Sequence, residues 1–415
     1  MKKQDTNQVD TGRLQVVVNS ATPIRPIPDA VVQISYTGTP GEILEELRTD
    51  ANGQTPVLDL PTPPLEYSMI PSENQPYSEY TVRVNAPGFA PIDVSGSELL
   101  SGLLSVQPIR MAPVQPQLPF EDIVIPAHTL FGNYPEKIPE AEIKPTNETG
   151  EIVLSRVVIP EYVIVHDGAP SDSTAQDHYV RYRDYIKNVA SSEIYATWPE
   201  STIRANVLAI MSFTLNRVYT EWYRNKGYDF TITSSTAFDH KWMRGRNIFD
   251  SISVIVDEIF TNYLSRPNVR QPILTQYCDG QRVSCPNWMQ QWGSKTLGDQ
   301  GYNAIQIIRN YYGQDMYINT AEEISGVPAS WPGYDLDIGS SGAKVRQLQE
   351  QLNTIAEVYT AVPTVSVDGI YDEETKQAVS DFQSIFGLPS SGIVDYPTWY
   401  KIQEIYVGIT RIAEL

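Results

Sequence analysis

The period of the hydrophobic pattern changes along this chain, and that change limits the folds open to it more than any other feature. Over residues 11–111, short apolar runs alternate with polar residues at a period of two, and proline, glycine and the turn at 50–53 separate them. From His178 onward, apolar residues recur every three or four positions. Period two predicts strands and period 3.6 predicts helices. For 415 residues we therefore expect about three domains of different class.

The first region predicts an antiparallel β-sandwich over residues 11–112. Its alternating runs lie at 14–18, 30–34 and 80–84, and their regular spacing is typical of a sandwich. The segment resembles the carboxypeptidase regulatory-like, transthyretin-type sandwiches, most clearly at residues 26–32 and 49–53. Such modules space or dock other domains, so the resemblance implies a protein partner for this sandwich and no catalysis.

Charge and hydropathy exclude two classes of partner. The 50 acidic residues outnumber the 30 basic ones, and the net charge of −20 would repel a polyphosphate backbone, so we expect no nucleic acid partner. No run approaches about 18 consecutive apolar residues, so we expect no transmembrane segment. The first residues lack the apolar stretch of a secretory signal, which leaves the export route open.

Proline-rich segments divide the rest of the chain. Residues 113–150 contain many prolines and glutamates without periodicity, which predicts an extended linker. A second break with proline and glycine falls at 326–334. We therefore expect an α+β domain over 151–325 and a separate small domain over 334–405.

The last domain has the pattern of a small all-α three-helix module. Val345, Leu348 and Leu352 share one helical face, and Val379 with Phe382 mark another. With the motifs at 336–342, 367–371, 387–389 and 392–399, the segment resembles the type 1 peptidoglycan-binding module over its whole length. That resemblance implies binding to peptidoglycan glycan strands, through polar or aromatic residues near its two loops.

One carboxylate in the middle domain continues an apolar helix face. Tyr182, Tyr185, Ile186 and Val189 recur at helical spacing, and Glu193 follows four residues after Val189. Burial at the negative end of a helix favours a neutral carboxylic acid, which is the form that a general acid needs. On spacing alone, however, a helix-capping or surface glutamate is the favoured interpretation.

The segments around Glu193 resemble the stage II sporulation protein D (SpoIID) family. The match includes residues 185–194, 198–199, 203–209, 239–245, 256–259, 272–277, 291–302 and 305–313. The family consists of lytic transglycosylases that cut MurNAc–GlcNAc bonds, chiefly in glycan strands stripped of stem peptides. The resemblance implies that Glu193 is the catalytic acid. We expect substrate contacts from Tyr195, Trp198, Asp239, His240, Gln291 and Trp292.

Two departures from the family pattern leave a second hypothesis open. This chain has Met211 where members commonly carry an arginine, and residues 283–286 stand where members have a Gly-His-Gly stretch. The chain is therefore either a lytic transglycosylase or a catalytically silent wall-binding scaffold. Both hypotheses predict a location in the cell envelope or spore envelope. The central region offers His240 but no cysteine, so we expect no metal and no cofactor.

Two further features have alternative interpretations. Cys278 and Cys285 suit either a disulfide or two unlinked thiols. His166 either faces the cleft or belongs to a turn, and Asp239 with His240 either line a glycan groove or satisfy a loop.

Overall fold

The computed structural model describes residues 9–21, 23–114, 121–145, 154–283, 285–327 and 329–410. It has several domains, with substantial β-sheet content and a helical C-terminal domain. In the described residues, no helix is both long and apolar enough to cross a membrane.

The N-terminal region contains two sheets around an apolar core. Its elements are β1 (Asp10–Ser20), β2 (Val31–Tyr36), β3 (Ile43–Arg48), β4 (Leu58–Thr62), α1 (Glu66–Met69), β5 (Ser78–Asn85), β6 (Ile92–Leu99), β7 (Leu104–Met111) and β8 (Glu121–Val124). One sheet has the order β3-β2-β5-β6-β8, and β7, β1 and β4 belong to the other. The alternating runs of the sequence lie in β1, β2 and β5, where their apolar side chains point into the core.

Two strand pairs differ from the antiparallel pattern that we predicted. β1 pairs with β7 in parallel, and so does β6 with β8. The chain crosses from one sheet to the other between β6 and β7, so no hairpin sets the direction of β7 beside β1. β8 also lies within the segment predicted as a linker, whose residues 125–145 continue without helix or strand.

The middle domain is arranged around a central buried helix. Its elements are β9 (Val158–Ile159), β10 (Tyr162–His166), β11 (Asp177–Arg181), α2 (Tyr182–Glu193), α3 (Glu200–Tyr219), β12 (Ile232–Thr233), β13 (Ile248–Phe249), α4 (Asp250–Ile259), β14 (Asn262–Ser265), β15 (Tyr277–Cys278), β16 (Met289–Gln290), α5 (Gln291–Asp299), α6 (Ala304–Tyr312), β17 (Tyr317–Thr320) and β18 (Glu323–Ile324), with a 3₁₀ turn at Arg224–Lys226. α3 is buried on all sides, and α2, α4, α5, α6 and β14 pack against it.

The helix α3 starts directly after Pro199, a residue favoured in the first turn of a helix, and ends at Tyr219. The carbonyl of Asn216 accepts hydrogen bonds from both the amide and the hydroxyl of Thr220. Glu221 then takes a left-handed backbone conformation, with φ of 47°. A left-handed residue cannot continue an α-helix, so the chain turns away from the helix axis after Tyr219.

The middle domain extends the N-terminal sheet. β13 pairs with β7 through Ile248 and Phe249, which gives that sheet the order β13-β7-β1-β4. Next to this pairing, Arg246 forms a buried salt bridge of 2.7 Å with Glu98. The sandwich and the middle domain therefore share a sheet as well as a buried ion pair.

The C-terminal helices are α7 (Ala343–Ala356), α8 (Glu373–Ile385) and α9 (Tyr396–Thr410). Their apolar core continues without a break into that of the middle domain, partly through Phe260 of the loop after α4, which packs on Tyr396 and Tyr400. The C-terminal domain is thus docked on the middle domain.

A buried ion network joins α9 to α2 and α4. Asp257 accepts hydrogen bonds from Arg183 (3.2 Å) and Lys187 (2.7 Å), and Arg183 also binds Glu404, which lies 3.3 Å from Lys401. Burial alone would raise the pKa of Asp257, but the charges of Lys187 and the neighbouring cations hold it below its ordinary value. Each buried charge in the network is therefore stabilised by the opposite charges of its partners.

Candidate functional site

The C-terminal domain holds its two loops with a repeated arrangement of glutamine, glycine and threonine. Gln349 donates to the Ile370 carbonyl (2.9 Å) and to Thr375 Oγ1 (3.2 Å), and its Oε1 accepts from the Gly369 amide (2.8 Å). The glutamine is buried, so its amide group satisfies loop groups that water cannot reach.

The second loop repeats the first. Gln383 donates to the Ile393 carbonyl (2.8 Å) and to Thr398 Oγ1 (3.0 Å), and its Oε1 accepts from the Gly392 amide (2.8 Å). Gly392, like Gly369 in the first loop, has a positive φ, and a Cβ there would lie 2.7 Å from the side chain of Lys376. We call these two arrangements the glutamine clamps.

The loops around the first clamp present apolar side chains to solvent. Tyr334, Ile338 and Ile370 are 58%, 48% and 54% exposed. The backbone joins these loops, because Ser341 bridges to Ile370 and the Gly339 amide donates to the Tyr371 carbonyl. This domain therefore has an open, preformed surface.

In the middle domain, α2 ends at Glu193, whose carboxylate is buried and held by two N–H donors. Oε1 accepts a hydrogen bond of 2.6 Å from the Lys241 amide, and Oε2 accepts one of 3.1 Å from Gln291 Nε2. Gln291 also donates to the Glu193 main-chain carbonyl (2.7 Å). The carboxylate is thus fixed in orientation, which a general acid or base requires.

Two further polar groups share the cavity that Glu193 lines. The Tyr277 hydroxyl has no hydrogen-bond partner of acceptable geometry among the described residues. Burial first, and then the negative charge of Glu193, raise the pKa of Tyr277 well above its ordinary value. The Lys137 ammonium donates to the Asp239 carbonyl and lies over the ring of Tyr277 at 4.8 Å. Burial lowers the pKa of Lys137, and the charges of Glu193 and Asp239 oppose that shift.

This cavity is small. Its volume is about 50 Å³, and residues from the predicted linker form one of its walls. A water molecule takes about 30 Å³ in the liquid, whereas pockets for small ligands measure roughly 300–1,000 Å³. The cavity as it stands therefore admits water but not a sugar ring.

Asp239 lies in a network behind the cavity instead of in its wall. Its carboxylate accepts hydrogen bonds from Arg217 Nε (2.7 Å), the Tyr223 hydroxyl (2.6 Å), and the amide (2.9 Å) and hydroxyl (2.7 Å) of Thr233. Both carboxylate oxygens are engaged and the residue is fully buried. In this conformation the Asp239 carboxylate stabilises the loop that carries it.

His240 is also fully buried. Its Nδ1 lies 3.0 Å from the Tyr185 hydroxyl, its ring stacks on Tyr277, and its Nε2 has no hydrogen-bond partner within the part of the chain that the structure describes. Burial, together with the positive charge of Lys137, lowers the pKa of His240 well below its ordinary value. The neutral imidazole supports the ring of Tyr277 from behind.

Tyr195, Trp198 and Trp292 form a buried aromatic cluster with ring centroids 5.0–5.9 Å apart. Their polar atoms bind other parts of the chain: Trp198 Nε1 donates to the Ser68 carbonyl, and Trp292 Nε1 donates to the Leu130 carbonyl. Of the residues expected to contact substrate, Gln291 alone both binds Glu193 and lines the cavity.

The remaining sequence candidates lie nearby. Cys278 and Cys285 are joined in a disulfide with Cα atoms 5.8 Å apart, and Cys278 lines the cavity. His166 binds Asp177 through Nδ1 (2.7 Å) and the Asp172 carbonyl through Nε2 (3.0 Å), so its ring satisfies a turn. Among the described residues, no cluster of three or more His, Cys, Asp or Glu side chains has the geometry of a metal site.

The linker segment contributes residues to the cavity that the sequence patterns did not indicate. Lys137, Tyr134 and His128 lie in a stretch without periodicity, between prolines. A lysine and aromatic residues in an otherwise acidic, proline-rich segment were the available signal, since a solvated linker has no need of aromatic side chains.

Comparison with known proteins gives one family match and several weak structural similarities. The SleB N-terminal domain is 28% identical over 19% of this chain and 99% of that chain, with a TM-score of 0.17. The minor pilin GBS52 of Streptococcus agalactiae is 13% identical over 27% of this chain and 48% of its own, with a TM-score of 0.19. A point mutant of catechol 1,2-dioxygenase from Acinetobacter radioresistens is 15% identical over 28% of this chain and 56% of its own, with a TM-score of 0.18.

Among curated proteins, no sequence matches the chain. The family match falls on the helical C-terminal domain and includes both glutamine clamps. Residues 341–402 match the family described as a putative peptidoglycan binding domain, and we refer to this part of the protein as its peptidoglycan-binding domain.

Proposed function

We propose that the protein binds peptidoglycan through its C-terminal domain and cleaves MurNAc–GlcNAc bonds of denuded glycan strands with its middle domain, as a lytic transglycosylase. The single observation that carries the catalytic part is the Glu193 carboxylate, buried at a cavity and oriented by the Lys241 amide and Gln291. The peptidoglycan-binding domain supports a place of action in the cell wall.

One carboxylate is enough for this chemistry. Glu193 gives its proton to the glycosidic oxygen as the bond from that oxygen to C1 of MurNAc breaks. The 6-hydroxyl oxygen of the same sugar then bonds to C1, and its proton passes to Glu193. Because the nucleophile belongs to the substrate, proximity replaces the second carboxylate and the water of a hydrolase. The product ends in a 1,6-anhydro ring.

A second candidate is a catalytically silent wall-binding scaffold. The observation that favours it is the volume of the Glu193 cavity, about 50 Å³, which excludes a sugar in this conformation. In that case the middle domain would serve as a rigid support for the C-terminal domain.

Replacing Glu193 by Gln separates the two candidates. The amide keeps the size of the side chain but cannot deliver a proton, so we expect cleavage to fall by about 100- to 10,000-fold while binding to purified sacculi is retained. The full chain would be incubated with denuded glycan strands and the products analysed for anhydro ends. Glu200→Gln is the matched control, because Glu200 lies on the surface of the same domain. Equal cleavage by parent and Glu193→Gln contradicts the catalytic role. Binding without cleavage, by the parent and by variants in which Glu193 is made accessible, favours the scaffold.

A further inference from the structure

Residues 128–144 of the predicted linker pass along the Glu193 cavity and contribute to its lining. His128, Leu130, Tyr134, Pro135 and Lys137 form one wall of it. The segment has no helix or strand of its own, so its course is set by its contacts with the middle domain. We call residues 128–144 the strap.

The first end of the strap is fixed beside the aromatic cluster. The Leu130 amide donates to the Tyr195 hydroxyl (2.9 Å), and Trp292 Nε1 donates to the Leu130 carbonyl (2.8 Å). The Leu130 side chain is buried in the middle-domain core. Two of the aromatic residues that the sequence suggests for substrate binding therefore use their polar atoms on the strap.

The second end is fixed by side chains of the middle domain. Gln276 accepts from the Glu140 amide (2.9 Å) and donates to the Ile138 carbonyl (2.7 Å). Glu140 forms two hydrogen bonds with the buried guanidinium of Arg217, at 2.6 and 2.9 Å. The strap is thus tied down on both sides of Lys137.

Lys137 is the strap residue whose side chain extends into the cavity beside Glu193. Its ammonium is buried between the Asp239 carbonyl and the rings of Phe213 and Tyr277, in the cavity that Glu193 lines. Its positive charge lies within electrostatic reach of the Glu193 carboxylate. A sugar could approach Glu193 from this side only after Lys137 and its neighbours had left.

We propose that the strap is an autoinhibitory element that blocks Glu193 until residues 128–144 detach from the middle domain. The inference rests on the proposed function, because it assumes that glycan reaches Glu193. The strap makes no sheet pairing over the cavity. Its anchors are side-chain hydrogen bonds, the ion pairs of Glu140 and Glu142, and main-chain hydrogen bonds to Ala237 and Leu274. None of these anchors uses the backbone of α2 or α3, so the strap can detach without unfolding either helix. Glycan and strap compete for the same face.

The first test measures access to Glu193 without requiring activity. The folded full chain would be treated with a water-soluble carbodiimide and an amine, and labelling at Glu193 and Glu200 compared by peptide mass spectrometry. Glu200 is 73% exposed, so we expect Glu193 to react at least about tenfold more slowly in the parent. Equal rates at the two carboxylates would overturn the proposal.

Variants then release the strap. Leu130→Ala removes its apolar anchor and Lys137→Met removes the buried charge while keeping the length of the side chain. We expect each to raise labelling of Glu193 by about tenfold and to increase production of anhydro ends from denuded glycan. Glu136→Gln, at an exposed strap position beside Lys137, is the control and should match the parent in both measurements.

The outcomes separate the two proposals. If the variants expose Glu193 but neither they nor the parent cleave glycan, the proposed function fails, while the claim that the strap blocks access to Glu193 stands. If parent and variants cleave equally fast, the autoinhibition fails while the proposed function stands. If Lys137→Met exposes Glu193 yet lowers cleavage, the lysine acts on the substrate and its inhibitory role is wrong.

Discussion

The peptidoglycan-binding domain and the Glu193 site lie in one continuous structure but are built in opposite ways. Each glutamine clamp closes a loop within about 25 residues of chain, and the apolar side chains around the first clamp face solvent. The Glu193 cavity is assembled from residues as distant in sequence as Lys137 and Tyr277, and it is small. The first surface can bind without rearrangement, whereas the second needs a segment to move. Binding and cleavage are therefore expected to respond to different substitutions.

The largest effect is expected where the two regions meet. Asp257→Ala would leave Arg183 and Lys187 buried without their shared carboxylate, at a cost of about 3–5 kcal/mol in the free energy of unfolding. Glu258→Ala, which removes a half-exposed partner of Arg204, should cost less than about 1 kcal/mol. Urea denaturation of both variants tests this. A small loss for Asp257→Ala would mean that the two regions are energetically separate.

The next effect should be confined to the peptidoglycan-binding domain. Gln383→Ala leaves the Gly392 amide and the Ile393 carbonyl without their partner, which we expect to cost about 3 kcal/mol and to weaken co-sedimentation with sacculi. Gln377→Ala removes an exposed glutamine of the same helix and should change neither quantity. Carbodiimide labelling of Glu193 should stay as in the parent, and a change there would link the two regions more tightly than their contacts indicate.

A smaller effect is expected at the wall of the Glu193 cavity. Replacing Cys278 and Cys285 together by Ser opens a short covalent loop, with an expected cost of about 2 kcal/mol. Because Cys278 lines the cavity, we expect faster labelling of Glu193 with unchanged binding to sacculi. Thermal melting and labelling of the double variant check both points, and weaker sacculus binding would contradict the separation of the regions.

The smallest effect depends on pH. Burial lowers the pKa of His128 to about 3, from an ordinary value of 6.5. The unfolded chain therefore binds this proton more tightly, and the stability present above pH 6.5 is lost as the pH falls towards 3, at up to about 1.4 kcal/mol per pH unit.

We expect His128→Phe to lose about 2 kcal/mol less than the parent between pH 7 and pH 5. Melting temperatures across this range measure the difference. His178→Phe replaces a less buried histidine, whose pKa burial also lowers, and should flatten the pH dependence less. The raised pKa of Glu98 works in the opposite direction, but it is common to all three proteins and cancels in the comparison. Parallel curves for parent and His128→Phe would show that the strap is not the acid-sensitive part.

The sequence predicted those parts of the structure that depend on neighbouring residues. The period-two runs lie in β1, β2 and β5, the apolar stripe from Tyr182 to Val189 forms α2 with Glu193 at its end, and the spacing of Val345, Leu348 and Leu352 predicted α7. The pairing direction of β7 and the position of the strap could not be predicted from the sequence. Both depend on contacts with residues far away in sequence, and an irregular segment held by separate contacts of individual residues leaves no periodic pattern.

If the middle domain cleaves glycan as proposed, the docking of the domains determines how far from the bound position it can act. A flexible linker gives a tethered enzyme a range of positions, so that its effective concentration at any bond varies smoothly with distance. Here β13 in the sandwich sheet, the ion network around Asp257 and the hydrogen bond from Trp399 to the Ala329 carbonyl remove that freedom. While these contacts hold, a strand captured by the C-terminal domain meets the middle domain at one fixed spacing or not at all. On the proposed function, the distance between the two sites is constant, so the repeat length of the polymer would select which bonds can reach Glu193.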